Sequence, residues 1–220
     1  MSAVNSGKPL RERAKISPSS AAKPNLLVVS HVLPFPGSTG QQQRVGYTLK
    51  RLRELFTLTF LTCAAPELER EIQRKLDSFC DDTILLPKRY SRNPLTGIWD
   101  RLRGLVFVAR TGLKLSNFAI GKVDFSPLRV TRAVGSRHFD GVLYEYWHAV
   151  DSAAVFEKCG IPCVLDMHNI LWQSYARQLR DKKRAPTWWK THSLARYRTL
   201  EEQAWNRFDA LIAINQAERC

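Results

Sequence analysis

The chain has 220 residues, 44% of them hydrophobic, and a formal net charge of +14. This length fits one α/β domain with a full hydrophobic core. No window reaches the roughly 18 uninterrupted apolar residues of a transmembrane helix, and the basic N-terminus lacks the apolar segment of a signal peptide. The five cysteines are scattered, in a chain too large to need disulfides. We therefore expect a cytoplasmic protein with reduced thiols and no metal site.

The positive charge is concentrated in three segments. Residues 1–24 carry five basic and one acidic side chain, residues 88–114 seven and one, and residues 177–198 eight and one. Basic segments of this kind indicate an anionic partner surface, such as phospholipid, polyphosphate or nucleic acid. Solvated helix faces explain the same pattern, so both interpretations stay open.

The first 24 residues differ from the rest of the chain in composition and in apolar pattern. Residues 1–24 are rich in Ser, Ala, Lys, Arg and Pro and have no apolar periodicity. Such a segment cannot bury enough apolar surface to offset the entropy of ordering. We predict a disordered basic arm over residues 1–24 and one domain over residues 25–220.

Strand and helix signals alternate from residue 25 onward. Short apolar runs predict six strands, at Leu26–Val29, Leu58–Cys63, Thr83–Leu86, Gly141–Trp147, Cys163–His168 and Ala210–Ile214. Helical periodicity predicts helices at Gln41–Leu55, Glu67–Phe79 and Ile98–Leu115. This alternation is typical of a parallel sheet with helices on both faces, so we predict a Rossmann-like α/β domain.

A glycine-containing loop follows the first predicted strand. Gly37, Ser38, Thr39 and Gly40 lead directly into the helix that carries Arg44. Free N–H groups and the helix dipole suit a phosphate at such a place, so we predict that these five residues bind a substrate or a diphosphate. Neither the Gly-x-Gly-x-x-Gly spacing nor the Lys-Ser/Thr ending of a P-loop is present, which disfavours a dehydrogenase. A turn that merely reverses the chain remains the alternative.

Polar side chains also follow the fourth and fifth predicted strands. Glu145 lies among aromatic residues at the first position, and Asp166, His168 and Asn169 lie at the second. Ligands of open α/β sheets bind beyond the carboxyl ends of the strands, and an imidazole can act as acid, base or hydrogen-bond donor near neutral pH. His168 is the candidate catalytic residue, and Glu145 and Asn169 are candidate substrate-binding residues. A structural role is the alternative for each.

Two stretches combine basic side chains with apolar or tryptophan surface. The predicted helix at Ile98–Leu115 has an apolar stripe flanked by basic residues, as an interfacial helix has; the stripe is Ile98, Trp99, Leu102, Leu105, Val106, Ala109 and Leu113. Cations beside tryptophan favour an anionic membrane surface, although single-stranded nucleic acid also fits. A core helix with solvated edges is the alternative. The predicted membrane-binding residues are Arg103, Arg110, Lys114, Lys182, Lys183, Arg184, Trp188 and Trp189.

The order of several motifs carries a family resemblance. They are Leu27 to His31 with Pro34, Pro36 and Gly40, then Arg44, Phe139 to Leu143, Val164 to Asn169 and Glu201 to Glu218. In this order and spacing they resemble the N-terminal domain of the group-4 GT-B glycosyltransferases, retaining enzymes that build bacterial glycans and glycolipids. The resemblance covers residues from about 25 to 220.

The resemblance implies transfer of a sugar, with retention, from a nucleotide-sugar donor to a glycan or lipid-linked acceptor, without cofactor or metal. It implies that the glycine loop lies near the donor diphosphate and His168 near the transferring sugar. In the family a C-terminal domain holds the donor, often through two glutamates eight residues apart, and no such pair occurs here. We expect an acceptor-side half that is inactive without that domain, in the cytoplasm or at the inner face of the cell membrane.

Other functions remain open at this stage. One is a GT-B-like sugar-nucleotide epimerase. Another is a non-catalytic basic domain that binds a membrane or nucleic acid, with nucleic acid the less favoured partner.

Overall fold

The computed structural model describes residues 22–88, 94–111, 114–181 and 186–213, apart from the side chains of residues 94–97. The strands are β1 (Asn25–Ser30), β2 (Thr57–Ala64), β3 (Asp82–Pro87), β4 (Gly141–Glu145), β5 (Cys163–Met167) and β6 (Ala210–Ala213). The α-helices are α1 (Gly40–Leu55), α2 (Glu69–Leu76), α3 (Pro94–Thr111), α4 (Leu115–Phe118), α5 (Pro127–Val134), α6 (Ala153–Glu157), α7 (Leu171–Asp181) and α8 (Thr187–Trp205). Short 3₁₀ or π segments lie at Pro66–Leu68, Ala119–Asp124 and Trp147–Ser152.

The six strands form one parallel sheet in the order β3-β2-β1-β4-β5-β6. The chain first builds outward from β1 to β3 and then returns to the other side of β1 to add β4, β5 and β6. In the register, Val28 of β1 lies opposite Phe60 of β2 and Leu143 of β4. This is the strand order of a doubly wound Rossmann-like sheet, so the predicted fold class is confirmed.

Apolar side chains on both faces of the sheet explain why β1 reads as a continuous hydrophobic run. Leu27 and Val29 belong to one buried cluster, and Val28 belongs to a second one, because successive side chains of a strand point to opposite faces. Helices α1 and α2 cover the second cluster with residues such as Val45 and Leu76. The first cluster is covered by helices of the later part of the chain, including α5, α7 and α8.

Aspartates at the amino edge of the sheet fix the starts of the strands. Asp140 accepts a hydrogen bond from the backbone N–H of Asn25 at 2.7 Å. Asp81 accepts from Leu58 N at 2.9 Å, and Asp209 accepts from Cys163 N at 2.8 Å. Each carboxylate accepts a backbone N–H from the first or second residue of a neighbouring strand, at the edge where the sheet begins.

A buried glutamate holds α7 against α8. The two carboxylate oxygens of Glu201 accept the backbone N–H groups of Leu171 and Trp172, at 2.8 and 2.7 Å. These donors belong to the first turn of α7, where no intrahelical acceptor exists. Burial nevertheless raises the pKa of Glu201 to about 7, because removal from water disfavours the charged carboxylate.

The strand and helix predictions differ from the structure mainly at their ends. The fourth strand was predicted to continue to Trp147, and this is wrong: β4 ends at Glu145 because Tyr146 has a positive φ of 80°. The helix predicted over Ile98–Leu115 is observed as α3, and Leu115 instead begins α4.

The prediction of an arm over residues 1–24 falls almost entirely outside the described residues, as does Ile214 at the end of the sixth predicted strand. The division into an arm and one domain stays a prediction. Among the described parts of the chain, no helix is both long enough and apolar enough to cross a bilayer. The four cysteines in these parts are free thiols.

Candidate functional site

The carboxyl ends of β1, β4 and β5 meet at the point where the strand order of the sheet reverses. β1 lies between β2 and β4, so the connections leaving β1 and β4 diverge to opposite sides and open a crevice. Besides Ser30 at the end of β1, three ionisable side chains at these ends are buried: Glu145 closes β4, and Asp166 and His168 lie at the end of β5. Buried ionisable groups at this place indicate a site, because burying a charge is costly unless a partner compensates it.

Glu145 and His168 form a buried pair across the ends of β4 and β5. His168 Nε2 contacts Glu145 Oε2, and the two side chains are 3% and 0% exposed. The other carboxylate oxygen of Glu145, Oε1, is buried and has no hydrogen-bond partner among the described residues. A buried acceptor without a partner is costly, so this oxygen is available to a donor that enters the crevice.

A second pair links the first helix to the same edge. Arg44 of α1 binds Asp166 through both Nη2 and Nε, the latter at 3.4 Å from Oδ2. Arg44 keeps 28% of its side chain exposed, whereas Asp166 is buried. The guanidinium therefore offers a cation at the mouth of the crevice, and Asp166 holds it in place.

Three of these residues are spaced as metal ligands would be. Glu145, Asp166 and His168 each offer one ligand atom, and these atoms lie within 4.8 Å of one another. Arg44 is bound to Asp166, and His168 is bound to Glu145, so each potential ligand already has a partner. A divalent cation at this place would first have to displace both contacts.

An aromatic and histidine cluster lies beside the Glu145–His168 pair. The ring of Tyr146 stacks on His168 with centroids 4.2 Å apart, and His31 lies 5.2 Å from Tyr146. His148 lies 5.4 Å from His31 and stacks on Trp147. The positive φ of Tyr146 turns the chain at this point, a backbone geometry that costs roughly 1–3 kcal/mol in a residue with a Cβ.

The two histidines of this cluster are held in the neutral form. Burial, together with the nearby charges of His168 and Lys88, lowers the pKa of His31 to about 4. Burial and the neighbouring His31 lower the pKa of His148 to about 3. Burial and the charge of Glu145 raise the pKa of the Tyr146 phenol. At neutral pH each of these imidazoles therefore retains a lone pair that can accept a hydrogen bond.

The glycine loop is largely bonded to itself. Thr39 caps α1 by accepting from Gln42 N at 3.3 Å, and the side chain of Gln42 accepts from Ser38 N at 3.1 Å. Gln43 donates to the carbonyl of Gly37, which has a positive φ of 83°. A Cβ at Gly40 would meet no atom within 4 Å, so space does not require glycine there. The loop offers fewer free N–H groups than its sequence predicts.

Two open spaces adjoin the site on different sides. A groove of about 650 Å³ is lined by Gly40, Gln43, Arg44, Tyr47, Thr48, Arg51, Leu52, Asp166 and Ile212. A cavity of about 530 Å³ is lined by His31, Cys63, Lys88, Leu115, Ser116, Ala119, Ile120, Asp124 and Phe125. We call them the α1 groove and the His31 cavity. We call Arg44, Glu145, Asp166, His168 and the nearby His31 the polar cluster. Arg44 and Asp166 line the α1 groove and His31 lines the His31 cavity, so the cluster borders both spaces.

The structure brings together some of the predicted site residues and separates others. Glu145, His168 and Arg44 belong to the cluster, Gly40 of the glycine loop lines the α1 groove, and Asn169 is exposed next to His168 in sequence. The described membrane-binding candidates lie elsewhere: Arg103 and Arg110 on α3, Lys114 directly before α4, and Trp188 and Trp189 on α8. Of that set, Lys182, Lys183 and Arg184 lie outside the described residues.

The sequence-based site omits His31, Tyr146 and His148. A signal for each was present, since His31 directly follows the first apolar run and the other two flank Trp147. Neither position reveals that the residues meet, because the contact depends on β1 and β4 being neighbours in the sheet. The fold and the cluster together define a Rossmann-like α/β protein with a candidate site at the switch point of its sheet.

Comparison with solved structures finds glycosyltransferases of similar chain path. A UDP-glucosyltransferase from Polygonum tinctorium capable of glucosylating indoxyl is 14% identical, with a TM-score of 0.47 over 88% of this chain and 47% of that one. CalG4, the calicheamicin glycosyltransferase, is 15% identical, with a TM-score of 0.41 over 83% and 45%. The glycotransferase of kitacinnamycin is 11% identical, with a TM-score of 0.39 over 85% and 41%.

The chain thus spans less than half the length of these structures. No family model and no curated protein sequence matches the chain. The functional argument below therefore rests on the site and on the sequence motifs.

Proposed function

We propose that the chain is the acceptor-side half of a GT-B glycosyltransferase, which transfers a sugar from a nucleotide-sugar donor to a hydroxyl of a glycan or lipid-linked acceptor. One observation carries the proposal: the buried Glu145–His168 pair lies at the switch point of the sheet, where Asp166 lines the α1 groove and His31 lines the His31 cavity. Two reactants can approach such a site from different sides and meet at one polar centre.

The α1 groove suits the donor side. Arg44 and Arg51 line it, and the N-terminus of α1 begins at Gly40. A cation and a helix N-terminus both stabilise the negative charge that a diphosphate leaving group develops. In this proposal Arg44, oriented by Asp166, lies nearest to that charge, while a second domain supplies the pocket for the base and ribose.

The His31 cavity suits the acceptor side. Apolar side chains such as Ile120 and Phe125 line most of it, which fits an acceptor with an apolar part. His31 is neutral at physiological pH because its pKa is lowered to about 4. A neutral imidazole can accept a hydrogen bond from the acceptor hydroxyl and so orient its oxygen toward the donor sugar.

In this proposal His168, at the end of β5, contacts the reacting sugar. Glu145 fixes the orientation of the imidazole through Nε2. The sequence motifs resemble the group-4 enzymes, and on that ground we propose that the product keeps the anomeric configuration of the donor. The same motifs support an enzyme of hexosyltransferase type that needs no cofactor. Its proposed location, expected from the composition of the chain, is the cytoplasm or the inner face of the cell membrane.

The experiment is a transfer assay with the 220-residue chain alone and with the chain joined to a nucleotide-sugar-binding C-terminal domain. We expect no transfer by the chain alone and transfer with retention, read by NMR of the anomeric proton, when the domain is present. Inversion would contradict the group-4 assignment. Conversion of the nucleotide sugar without any acceptor would contradict transfer and indicate an epimerase instead.

Calorimetry tests separately whether the donor site lies outside this chain. In this proposal the second domain supplies the pocket for the base, so we expect UDP and GDP to bind the chain alone more weakly than the micromolar range. Micromolar binding of either nucleotide by the 220-residue chain would place the donor site within it and contradict the two-domain proposal.

A further inference from the structure

Helix α3 turns an apolar surface toward solvent. Its side chains Ile98, Trp99, Leu102, Leu105 and Val106 are all exposed, Trp99 by 70% and Leu105 by 62%. We call these five residues the α3 face. They belong to the apolar stripe that helical periodicity assigns to one side of the helix. A contiguous apolar surface of this kind on a soluble domain marks a place where something else binds.

The opposite side of α3 holds the helix on the protein. Gly104 is buried against Leu115 and Phe118, where a Cβ would be crowded by both side chains. The ring of Phe107 lies 5.4 Å from that of Phe118. Because Gly104 and Phe107 already fill the inner side, the α3 face cannot join the core without a rotation of the whole helix.

Basic side chains border the α3 face. Arg101, Arg103 and Arg110 are exposed on its flanks, and Asp100 is the acidic residue of the described part of the helix. Trp188, on the adjoining helix α8, is 71% exposed. Apolar residues that include a tryptophan, with arginines on the flanks, match the headgroup boundary of an anionic bilayer.

We propose that the α3 face docks on an anionic lipid bilayer, with the helix lying in the plane of the interface. At 1.5 Å per residue the 18 residues of α3 form a rod about 27 Å long, enough to place all five apolar side chains in the boundary at once. A second copy of the chain fits less well, because pairing two α3 faces would bring arginine against arginine.

The predicted membrane-binding residues differ in their exposure and contacts. Arg103, Arg110 and Trp188 are exposed. Lys114 is exposed and donates to Gln178 at 2.8 Å, whereas Trp189 packs partly buried against the core. Their part in membrane contact stays a prediction, and Arg103 and Arg110 are the residues varied below.

The docking surface lies one helix away from the proposed acceptor cavity. Leu115 of α4 packs on Gly104 of α3 and also lines the His31 cavity. A lipid-linked acceptor held in the bilayer would therefore be close to that cavity. The docking itself does not depend on sugar transfer, and it is tested without any donor.

The test is co-sedimentation of the full chain with phosphatidylcholine vesicles that contain or lack phosphatidylglycerol. The variant Leu102→Ser/Leu105→Ser removes apolar area from the α3 face. The matched control Leu55→Ser/Leu128→Ser removes two equally exposed leucines from α1 and α5. We expect the partition coefficient on anionic vesicles to fall roughly 10-fold or more in the first variant and to stay unchanged in the control.

The charge contribution has its own pair of variants. Arg103→Gln/Arg110→Gln should weaken binding to anionic vesicles and reduce its salt sensitivity, whereas Arg70→Gln/Arg74→Gln on α2 should do neither.

Equal vesicle binding by the two leucine variants would overturn the proposal. So would a concentration-dependent dimer in analytical ultracentrifugation that only Leu102→Ser/Leu105→Ser abolishes. Binding to oligonucleotides that the α3 variants weaken as much as vesicle binding would also overturn it.

Discussion

The carboxyl edge of the sheet and helix α3 depart in opposite ways from the usual distribution of polar and apolar residues between surface and interior. At the edge, Glu145, Asp166 and His168 are charged or polar and buried. On α3, leucine, isoleucine and tryptophan side chains are exposed. Soluble domains usually bury the second kind of residue and expose the first.

The two departures differ in how the protein compensates for them. Each buried charge at the edge has an oppositely charged or polar partner, although among the described residues there the buried atoms Glu145 Oε1, Tyr146 Oη and His148 Nδ1 have no hydrogen bond. A buried pair of this kind contributes little net stability, so its presence is better explained by a function. The α3 face has no compensating contact among the described residues, and in our proposal a lipid bilayer covers it.

The largest stability effect is expected where these two regions join. Gly121 packs against the backbone carbonyl of His148, and a Cβ there would collide with that oxygen. Backbone cannot move aside as a side-chain end can, so Gly121→Ala should lower the free energy of unfolding by roughly 1–3 kcal/mol. Urea denaturation measures it. Gly40→Ala is the control, since its Cβ meets nothing, and equal destabilisation by both variants would contradict this packing.

Acid should weaken the edge through its buried histidines. Their pKa values, about 4 for His31 and about 3 for His148, lie below the ordinary 6.5. Between pH 6.5 and 4 the unfolded chain therefore binds protons that the folded chain does not, and stability falls as pH falls. Glu201 has the opposite effect on stability. Its raised pKa of about 7 means that, as pH falls, the folded chain binds this proton before the unfolded chain does, which favours the folded state.

The variant His148→Phe isolates one of these contributions. Removing that imidazole should make the stability lost between pH 7 and pH 5 smaller by about 2 kcal/mol. Thermal or urea unfolding at the two pH values provides the measurement. An unchanged pH dependence would mean that His148 is accessible to protons in the folded chain.

The smallest effect is expected on the α3 face. Because Leu102 and Leu105 are exposed, Leu102→Ser/Leu105→Ser should change the free energy of unfolding by no more than about 0.5 kcal/mol per residue. Differential scanning calorimetry can resolve this. A loss of several kcal/mol would show that the face packs against the protein, and the comparison of the two regions would fail.

Sequence patterns predicted the sheet because its strands are buried on both faces. A continuous apolar run such as Leu26–Val29 predicts a strand that is buried on both faces. The aspartates at positions 140 and 209 mark where strands begin. The end of β4 was not predictable in the same way. The strand ends there because of the positive φ of Tyr146, and the residues around that position do not predict this angle.

The site was predictable only residue by residue. Strand-end positions pointed to Glu145 and His168 separately, but their contact depends on β4 and β5 lying side by side. On α3, helical periodicity identified the apolar stripe but did not show that the stripe faces solvent. The side that packs on the protein is formed by Gly104 and Phe107, and these two residues do not form a recognisable second apolar stripe in the sequence.

The most direct test of the account is the turnover of His168→Ala in the chain joined to a donor-binding domain, compared with wild type at equal folded concentration. If the buried cluster is the transfer site, turnover should fall roughly 10²- to 10⁴-fold, the effect of a lost polar contact in the transition state. Circular dichroism should show that the variant still folds, although it should melt at a lower temperature because the buried Glu145 loses its partner. Wild-type turnover in this variant would contradict the assignment of the carboxyl edge as the site of sugar transfer.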